Sequence, residues 1–114
     1  MTTTLFILNE APYGSERSYN ALRLALSLSK RDAEEVRVFL MGDAVSCAKA
    51  GQKVPTGYYN CEDMLRRIGP AVAVCGTCLD ARGISASELI DSAHASTLAE
   101  LTAWTVEADK VLVF

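Results

Sequence analysis

The sequence predicts an α/β fold with three layers, in which helices cover both faces of a mainly parallel sheet of four to five strands. Short apolar segments, which are typical of strands buried on both faces, alternate along the chain with helical patterns. The chain has 114 residues, of which 50% are hydrophobic and 22% are charged. This balance is typical of a compact globular protein of one domain. We therefore expect residues 1–114 to form a single domain.

Four segments are predicted to be strands because each is short and mostly apolar. In chain order they are residues 5–8, 36–41, 71–75 and 111–114. Right-handed crossovers between parallel strands place the loops after the first three strands at one edge of the sheet. Open α/β sheets form their sites at that edge. The loops concerned are residues 9–14, 42–43 and 76–83.

Helices are predicted between these strands from their start and stop signals. Ser15 is a candidate N-cap, with Glu16 in the first turn and apolar residues recurring as far as Leu28. Asn60 and Asp63 have capping-box spacing for a further helix, which ends at residues 69–70 (Gly-Pro). The other predicted helices are residues 44–50, which Gly51 terminates, 86–91 and 96–106, and residues 76–83 are predicted to be a turn-rich loop.

Charge and hydropathy exclude several classes of function. The chain has 11 basic and 14 acidic residues and a net charge of −3, so we expect no nucleic-acid partner. No apolar run approaches the roughly 18 residues that span a bilayer, and the N-terminus lacks the features of a signal peptide. We therefore expect a cytoplasmic protein with no membrane partner. In that compartment the four cysteines are expected to be thiols, ligands or redox groups.

The strongest local signal for chemistry is the C-x-x-C motif of Cys75 and Cys78, at the end of the third predicted strand. The thiolate is the nucleophilic form of cysteine, and a nearby cation such as Arg82 favours it. Cys78 lies farther from the buried strand and is the better placed of the two to react. The motif also fits two buried packing thiols or thioredoxin-like exchange. Thioredoxin-like exchange is disfavoured because no proline is an obvious partner for the motif.

Other residues give weaker signals. Cys47 and Cys61 are isolated and are expected to pack rather than bind zinc, so we expect no metal site. No glycine-rich phosphate loop is present, and we expect no cofactor. His94, the only histidine, is expected to be structural, while Asp43 is either a site carboxylate or a helix cap. Three loop tyrosines either line a pocket or pack between subunits: Tyr13, Tyr58 and Tyr59.

Five blocks of sequence, in one order, carry a resemblance to a known family. They are residues 11–16 (APYGSE), 39–45 (FLMGDAV), 51–53 (GQK), 75–85 (CGTCLDARGIS) and 108–112 (ADKVL). On these blocks the chain resembles the DsrE-like family, part of the DsrE/DsrF-like sulfur-relay superfamily, and most closely its small YchN-type members. The resemblance covers nearly the whole chain. It implies a three-layer α/β fold and a homo-oligomer, namely a hexamer.

The resemblance also implies a chemical role for the C-x-x-C motif. Sulfur-relay members of the family carry sulfur as a persulfide on a cysteine after a central strand, and Cys78 fits that position. Arg82 and Gly83 fit the Arg-Gly that closes the family loop. The family's tRNA-thiolation proteins have a longer loop and no match to Cys75, so this chain departs from them. A thiol at Cys75 is able to attack the persulfide, which releases sulfide and leaves a Cys75–Cys78 disulfide.

We therefore expect a sulfur-handling protein, either a sulfurtransferase or a sulfur carrier, with donor and acceptor proteins as partners. Cys78 holds the sulfur, Cys75 resolves the persulfide or tunes Cys78, and Arg82 with loop N–H groups stabilises the thiolate. The alternatives are a thiol–disulfide switch and a noncatalytic oligomeric binding module. The residues expected to line the site are Asn9, Pro12, Tyr13, Gly14, Asp43, Gly76, Thr77 and Gly83.

Overall fold

The computed structural model describes residues 1–114 and contains one sheet of five parallel strands. The strands are β1 (Thr2–Leu8), β2 (Glu34–Leu40), β3 (Val72–Cys75), β4 (Ala93–Ser96) and β5 (Lys110–Val113). Their order in the sheet is β4-β3-β2-β1-β5, and every neighbouring pair is parallel. The prediction of a parallel α/β sheet flanked by helices is confirmed.

Four α-helices and two 3₁₀ segments connect the strands. The helices are α1 (Arg17–Ser29), α2 (Cys61–Ile68), α3 (Gly76–Asp80) and α4 (Leu98–Glu107), and the 3₁₀ segments are Gly42–Ala48 and Ala86–Glu88. Helices α1 and α2 pack on one face of the sheet with the first 3₁₀ segment, and α4 packs on the other. None of the helices combines the length and apolar character needed to cross a lipid bilayer.

The larger core lies between the sheet and helices α1 and α2. Alternate strand residues such as Phe6, Leu8 and Val38 point into it and are fully buried, as expected for the two-residue period of a strand. The side of α1 that meets them carries Ala21 and Ala25, and these small side chains let the helix lie close to the strands. This face of the sheet is therefore tightly covered.

The second face of the sheet is covered by α4 alone. Leu101 packs there on Leu5, Phe39 and Ala73, and Trp104 meets the Phe39 ring edge-on, with 6.4 Å between the ring centroids. One helix is too narrow to cover five strands. The side chains at the carboxyl ends of the central strands on this face therefore stay partly exposed, namely Ile7, Met41 and Cys75.

The structure corrects the prediction between residues 76 and 106. Ser96, predicted to start a helix, ends the unpredicted strand β4, and Thr97 caps α4 by accepting the Glu100 N–H at 3.4 Å. Strand β4 escaped prediction because its sequence, AHAS, lacks large apolar residues and lies at the sheet edge. The predicted loop 76–83 begins with helix α3, and the predicted helix 86–91 is a single 3₁₀ turn.

Two helix starts behave differently from each other. At α2, the Asn60 side chain accepts the Asp63 N–H at 3.0 Å, as the capping spacing predicted. At α1, the predicted cap Ser15 accepts only a long 3.4 Å hydrogen bond from the Arg17 N–H, and Glu16 occupies the cap position without a side-chain hydrogen bond. The start of α1 therefore depends on packing more than on capping.

Candidate active site

The loops after β2 and β3 meet at the carboxyl edge of the sheet, as the topology predicts. The Gly42 N–H, just beyond β2, donates to the Cys78 Sγ at 3.2 Å. The Arg82 guanidinium, beyond α3, donates to one oxygen of Asp43 at 2.8 and 3.0 Å. These contacts join residues far apart in sequence and fix the surroundings of the Cys78 thiol.

Cys78 lies in α3, half-buried, with three groups that favour its thiolate. A hydrogen bond from the Cys75 thiol lowers the pKa of Cys78 most, and the Gly42 N–H and the positive charge of Arg82 lower it further. Burial acts in the opposite direction, but the pKa of Cys78 remains below its ordinary value. A thiolate is a nucleophile, so the site activates Cys78 in particular.

Cys75 ends β3 and has the complementary role. Its sulfur accepts the Cys78 N–H at 3.4 Å and so caps the first turn of α3. Burial, followed by the hydrogen bond to Cys78, raises the pKa of the Cys75 thiol. Cys75 therefore keeps its proton under conditions in which Cys78 loses one, and the two thiols form a donor–acceptor pair.

Arg82 acts on the site through its charge and through the backbone. Its guanidinium donates to the Cys78 carbonyl oxygen at 3.0 Å and to Asp43. The Asp43 side chain, which is 70% exposed, holds Arg82 in place. Asp43 therefore orients the cation, and its own charge weakens the effect of Arg82 on the thiolate.

The predicted glycines shape the backbone around the thiols. A Cβ at Gly76 would lie 3.1 Å from the carbonyl oxygen of Ser96, which is tighter than ordinary van der Waals contact. Gly83 has a φ of +65° and closes the turn after α3. Neither glycine offers a side chain to a substrate, and Thr77 between Gly76 and Cys78 is exposed.

The first loop contributes less to the thiol site than predicted. Asn9 lies at the edge, where its backbone and side-chain N–H groups donate to the Phe114 carbonyl at 3.0 and 3.2 Å. Pro12 and Tyr13 contact the start of α2, where Cys61 donates its thiol to the Pro12 carbonyl and its N–H to the Tyr13 hydroxyl. The Tyr13 hydroxyl in turn donates to the Gln52 side chain at 2.5 Å. Gly14, with a φ of +105°, turns the chain.

The remaining cysteines and tyrosines pack against one another. Cys47 and Cys61 are fully buried, and the Cys47 thiol is hydrogen-bonded to the Cys61 sulfur. Tyr59 stacks between Tyr58 and Tyr19, with centroid distances of 4.5 and 4.1 Å. No group of three or more His, Cys, Asp or Glu side chains is placed to hold a metal ion.

Sequence reasoning missed a polar network beside the thiols. The Glu100 carboxylate accepts hydrogen bonds from Ser96 and His94, each at 2.5 Å. Ser96 is paired in register with Cys75 across the β3–β4 ladder. This network could not be predicted because β4 was not recognised. The donor role of Gly42 was missed because it rests on a backbone N–H.

The structure therefore combines a parallel α/β sheet with two neighbouring thiols, Cys75 and Cys78, at its carboxyl edge. The model of the DsrE/DsrF-like family matches residues 3–114, and the chain belongs to that family. Membership points to a role related to sulfur relay.

Relatives align with all or nearly all of the chain. Protein YchN of Escherichia coli strain K12 is 45% identical over 118 aligned residues, which cover 100% of both chains. The uncharacterized protein MK0008 of Methanopyrus kandleri is 39% identical over 95% of this chain and 90% of its own. The crystal structure of the E. coli YchN protein superposes with a TM-score of 0.91 at 46% identity and covers 100% of both chains. The resemblance found in the sequence blocks is confirmed.

Proposed function

We propose that this protein is a sulfur carrier of sulfurtransferase type, which holds sulfur as a persulfide on Cys78. The observation that carries the proposal is the hydrogen bond of 3.2 Å from the Gly42 N–H to the Cys78 sulfur. The Cys75 side chain and the positive charge of Arg82 also lower the pKa of this thiol. These groups stabilise a thiolate at Cys78, which is half-buried, whereas Cys47 and Cys61 are fully buried. The protein works in the cytoplasm between a donor protein and an acceptor protein.

The chemistry balances without a cofactor. The Cys78 thiolate attacks the outer sulfur of a donor persulfide, R–S–SH, forms the Cys78 persulfide and releases the donor thiolate. An acceptor thiolate then attacks the outer sulfur of that persulfide, and the Cys78 thiolate leaves. The Gly42 N–H and the charge of Arg82 favour the second step, because they stabilise the departing thiolate.

A thiol–disulfide switch is the second candidate function. It is favoured by the hydrogen bond of 3.4 Å from the Cys78 N–H to the Cys75 sulfur, which holds the two cysteines close together. In this reaction a disulfide oxidant accepts two electrons and two protons, and the Cys75–Cys78 disulfide forms. No sulfur is gained.

We propose further that the chain assembles into a homo-oligomer, a hexamer. Large apolar side chains are exposed on the face that α4 covers alone and at the neighbouring edge strand β5. Leu98, Val106 and Val113 are 73%, 81% and 65% exposed. Burial of such side chains between copies removes apolar area from water. It would also shield a persulfide from solvent.

Intact-protein mass spectrometry after exposure to a cysteine desulfurase with cysteine, or to a small persulfide donor, tests the function. The carrier predicts a gain of one sulfur atom in the wild type and Cys75→Ser, and none in Cys78→Ser. Cys47→Ala, which removes a fully buried thiol, is the matched control and should load like the wild type. Loss of two hydrogens that requires both Cys75 and Cys78, with no release of hydrosulfide, supports the switch instead. No change in any sample contradicts both.

A further inference from the structure

Three polar side chains on β4 and in the first turn of α4 form a hydrogen-bonded network. One oxygen of the Glu100 carboxylate accepts the Ser96 hydroxyl and the His94 ring Nε2–H, each at 2.5 Å. The Glu100 side chain is 34% exposed and His94 is 47% exposed, while Ser96 is half-buried. The network therefore runs from the interior of the second sheet face to solvent.

The half-buried end of this network, Ser96, lies beside Cys75 in the sheet. Residues 73 and 101 share the second core cluster, so the two-residue period of β3 places Cys75 on the α4 side of the sheet. Cys75 and Ser96 are partners in the parallel register of β3 and β4, whose backbones lie about 5 Å apart. A Cβ at Gly76 would lie 3.1 Å from the Ser96 carbonyl oxygen. The absence of a side chain at Gly76 therefore lets the two strand ends lie close together.

The reaction of Cys75 with a loaded Cys78 requires a proton acceptor. This reaction rests on the proposed function. The Cys75 thiol holds its proton, because burial and the bond to Cys78 raise its pKa. In the free protein that proton is shared with the Cys78 thiolate. Once Cys78 carries sulfur as the neutral persulfide Cys78–S–SH, its sulfur is no longer a thiolate, and the Cys75 proton loses that acceptor.

We propose that Ser96 and Glu100 form a proton relay that activates Cys75 to discharge the Cys78 persulfide as hydrosulfide. The Cys75 proton passes to the Ser96 oxygen, and the Ser96 hydroxyl proton passes to the Glu100 carboxylate. The Cys75 thiolate attacks the inner sulfur, so the Cys75–Cys78 disulfide forms and the bond to the outer sulfur breaks. The outer sulfur takes up two electrons and leaves as HS⁻, and the two cysteine sulfurs supply those electrons.

The hydrogen-bonding capacity of the network fits this direction of transfer. A serine hydroxyl has one proton to donate and two lone pairs to accept, and the proton of Ser96 already points to Glu100. Burial acts to raise the pKa of Glu100, but the hydrogen bonds from Ser96 and His94 hold it below its ordinary value, so the carboxylate is ionised at neutral pH. His94 connects Glu100 to water, which carries the proton away.

The test separates loading of Cys78 from release of hydrosulfide. Each full-length protein is loaded with a small persulfide donor, freed of donor, and left without added thiol. Sulfur retained is measured by intact mass and hydrosulfide by a colorimetric assay. We expect Glu100→Gln and Ser96→Ala to load like the wild type and to release hydrosulfide at least tenfold more slowly, since positioned bases contribute about 10²-fold or more. Glu107→Gln, which removes another paired carboxylate of α4, is the matched control.

Rescue distinguishes proton transfer from a structural effect. Ser96→Thr keeps the hydroxyl on a strand position that threonine favours, and it should release hydrosulfide within a few-fold of the wild type. Normal loading with wild-type release rates in Glu100→Gln and Ser96→Ala would overturn the relay and leave the carrier intact. Equal slowing by Ser96→Thr and Ser96→Ala would also overturn it, because the hydroxyl would then have no role. Failure of the wild type to load would remove the carrier and the relay together.

Discussion

The Cys78 thiol depends most strongly on its neighbour Cys75. The two side chains are of one chemical type, yet their positions give them opposite pKa shifts, raised at Cys75 and lowered at Cys78. The difference in pKa arises because Cys75 ends a buried strand, where burial raises the pKa of its thiol. Cys78 lies in the helix that follows, where the Cys75 side chain and the hydrogen bond from the Gly42 N–H lower the pKa of its thiol. Activation at this site is therefore a property of the pair.

Removal of the Cys75 donor should make Cys78 less reactive. In Cys75→Ala the pKa of Cys78 rises, since its thiolate loses a hydrogen bond. Alkylation of Cys78 by iodoacetamide at pH 7 should then slow by about threefold. A rise of one pKa unit lowers the thiolate fraction about tenfold, and the higher intrinsic nucleophilicity of the more basic thiolate offsets part of that loss. Cys75→Ser, which keeps a donor, is the control and should stay near the wild type. Equal rates in the wild type and Cys75→Ala would contradict the pairing.

At the scale of elements, the site depends on how closely the ends of β3 and β4 approach. Gly76→Ala places a methyl group 3.1 Å from the Ser96 carbonyl oxygen, and backbone cannot move aside without cost. We expect a loss of about 1 to 3 kcal/mol in the free energy of unfolding, measured by urea denaturation. Thr77→Ala, at the next and exposed position, should change stability by less than about 0.5 kcal/mol. An unchanged free energy of unfolding in Gly76→Ala would contradict this close approach of the two strand ends.

The loop before α2 is attached to that helix by one buried carboxylate. Glu62, whose side chain is only 13% exposed, accepts the N–H groups of Gly51 and Gln52 at 3.0 and 2.9 Å and pairs with Arg66 at 2.8 Å. Burial acts to raise the pKa of Glu62, but these hydrogen bonds and the charge of Arg66 lower it overall. The folded state therefore favours the ionised form.

Stability should follow the ionisation of Glu62. Because its pKa is lower in the folded than in the unfolded chain, the contribution is complete above the unfolded value of about 4.3 and is lost as the pH falls through the folded value. Glu62→Gln should cost about 2 kcal/mol at pH 7, with a smaller difference from the wild type in acid. Asp63→Asn, at a 63% exposed side chain, serves as control. A Glu62→Gln penalty that is unchanged at low pH would contradict this assignment.

The elements differ in how far their sequence predicts them. The mainly apolar, buried parts of strands β1, β2 and β3 were predictable from sequence, whereas the polar first residues of β1 and β2 were not. Strand β4 was not, because an edge strand of small and polar residues carries no such signal. The site was likewise predictable only in part. Cys75, Cys78 and Arg82 are indicated by their spacing and by the family blocks. Ser96 and Glu100 were not predictable, because their position depends on the register of β4, and Gly42 was not, because it acts through its backbone N–H.

At the scale of the whole molecule, the two faces of the sheet are unequally covered. Two helices and a 3₁₀ segment cover one face, and α4 alone covers the other, with Val106 and Val113 largely exposed. We predict that sedimentation analysis will show a hexamer rather than the 12.3 kDa monomer, and that Val106→Glu with Val113→Lys will dissociate it, because charges buried in an interface are costly. Leu24→Lys, on α1, is the control. A monomeric wild type would contradict this assembly.

The position of the transferred sulfur decides whether Cys78 is the carrier. Trypsin releases residues 68–82 as one peptide that contains Cys75 and Cys78, and separates it from the peptides of Cys47 and Cys61. The wild type is exposed to a persulfide donor, alkylated at once and digested, and the peptide is fragmented in a tandem mass spectrometer. We expect an additional sulfur on Cys78, trapped as the alkylated persulfide. Additional sulfur on Cys75 alone, or on Cys47 or Cys61 with Cys78 unmodified, would contradict it.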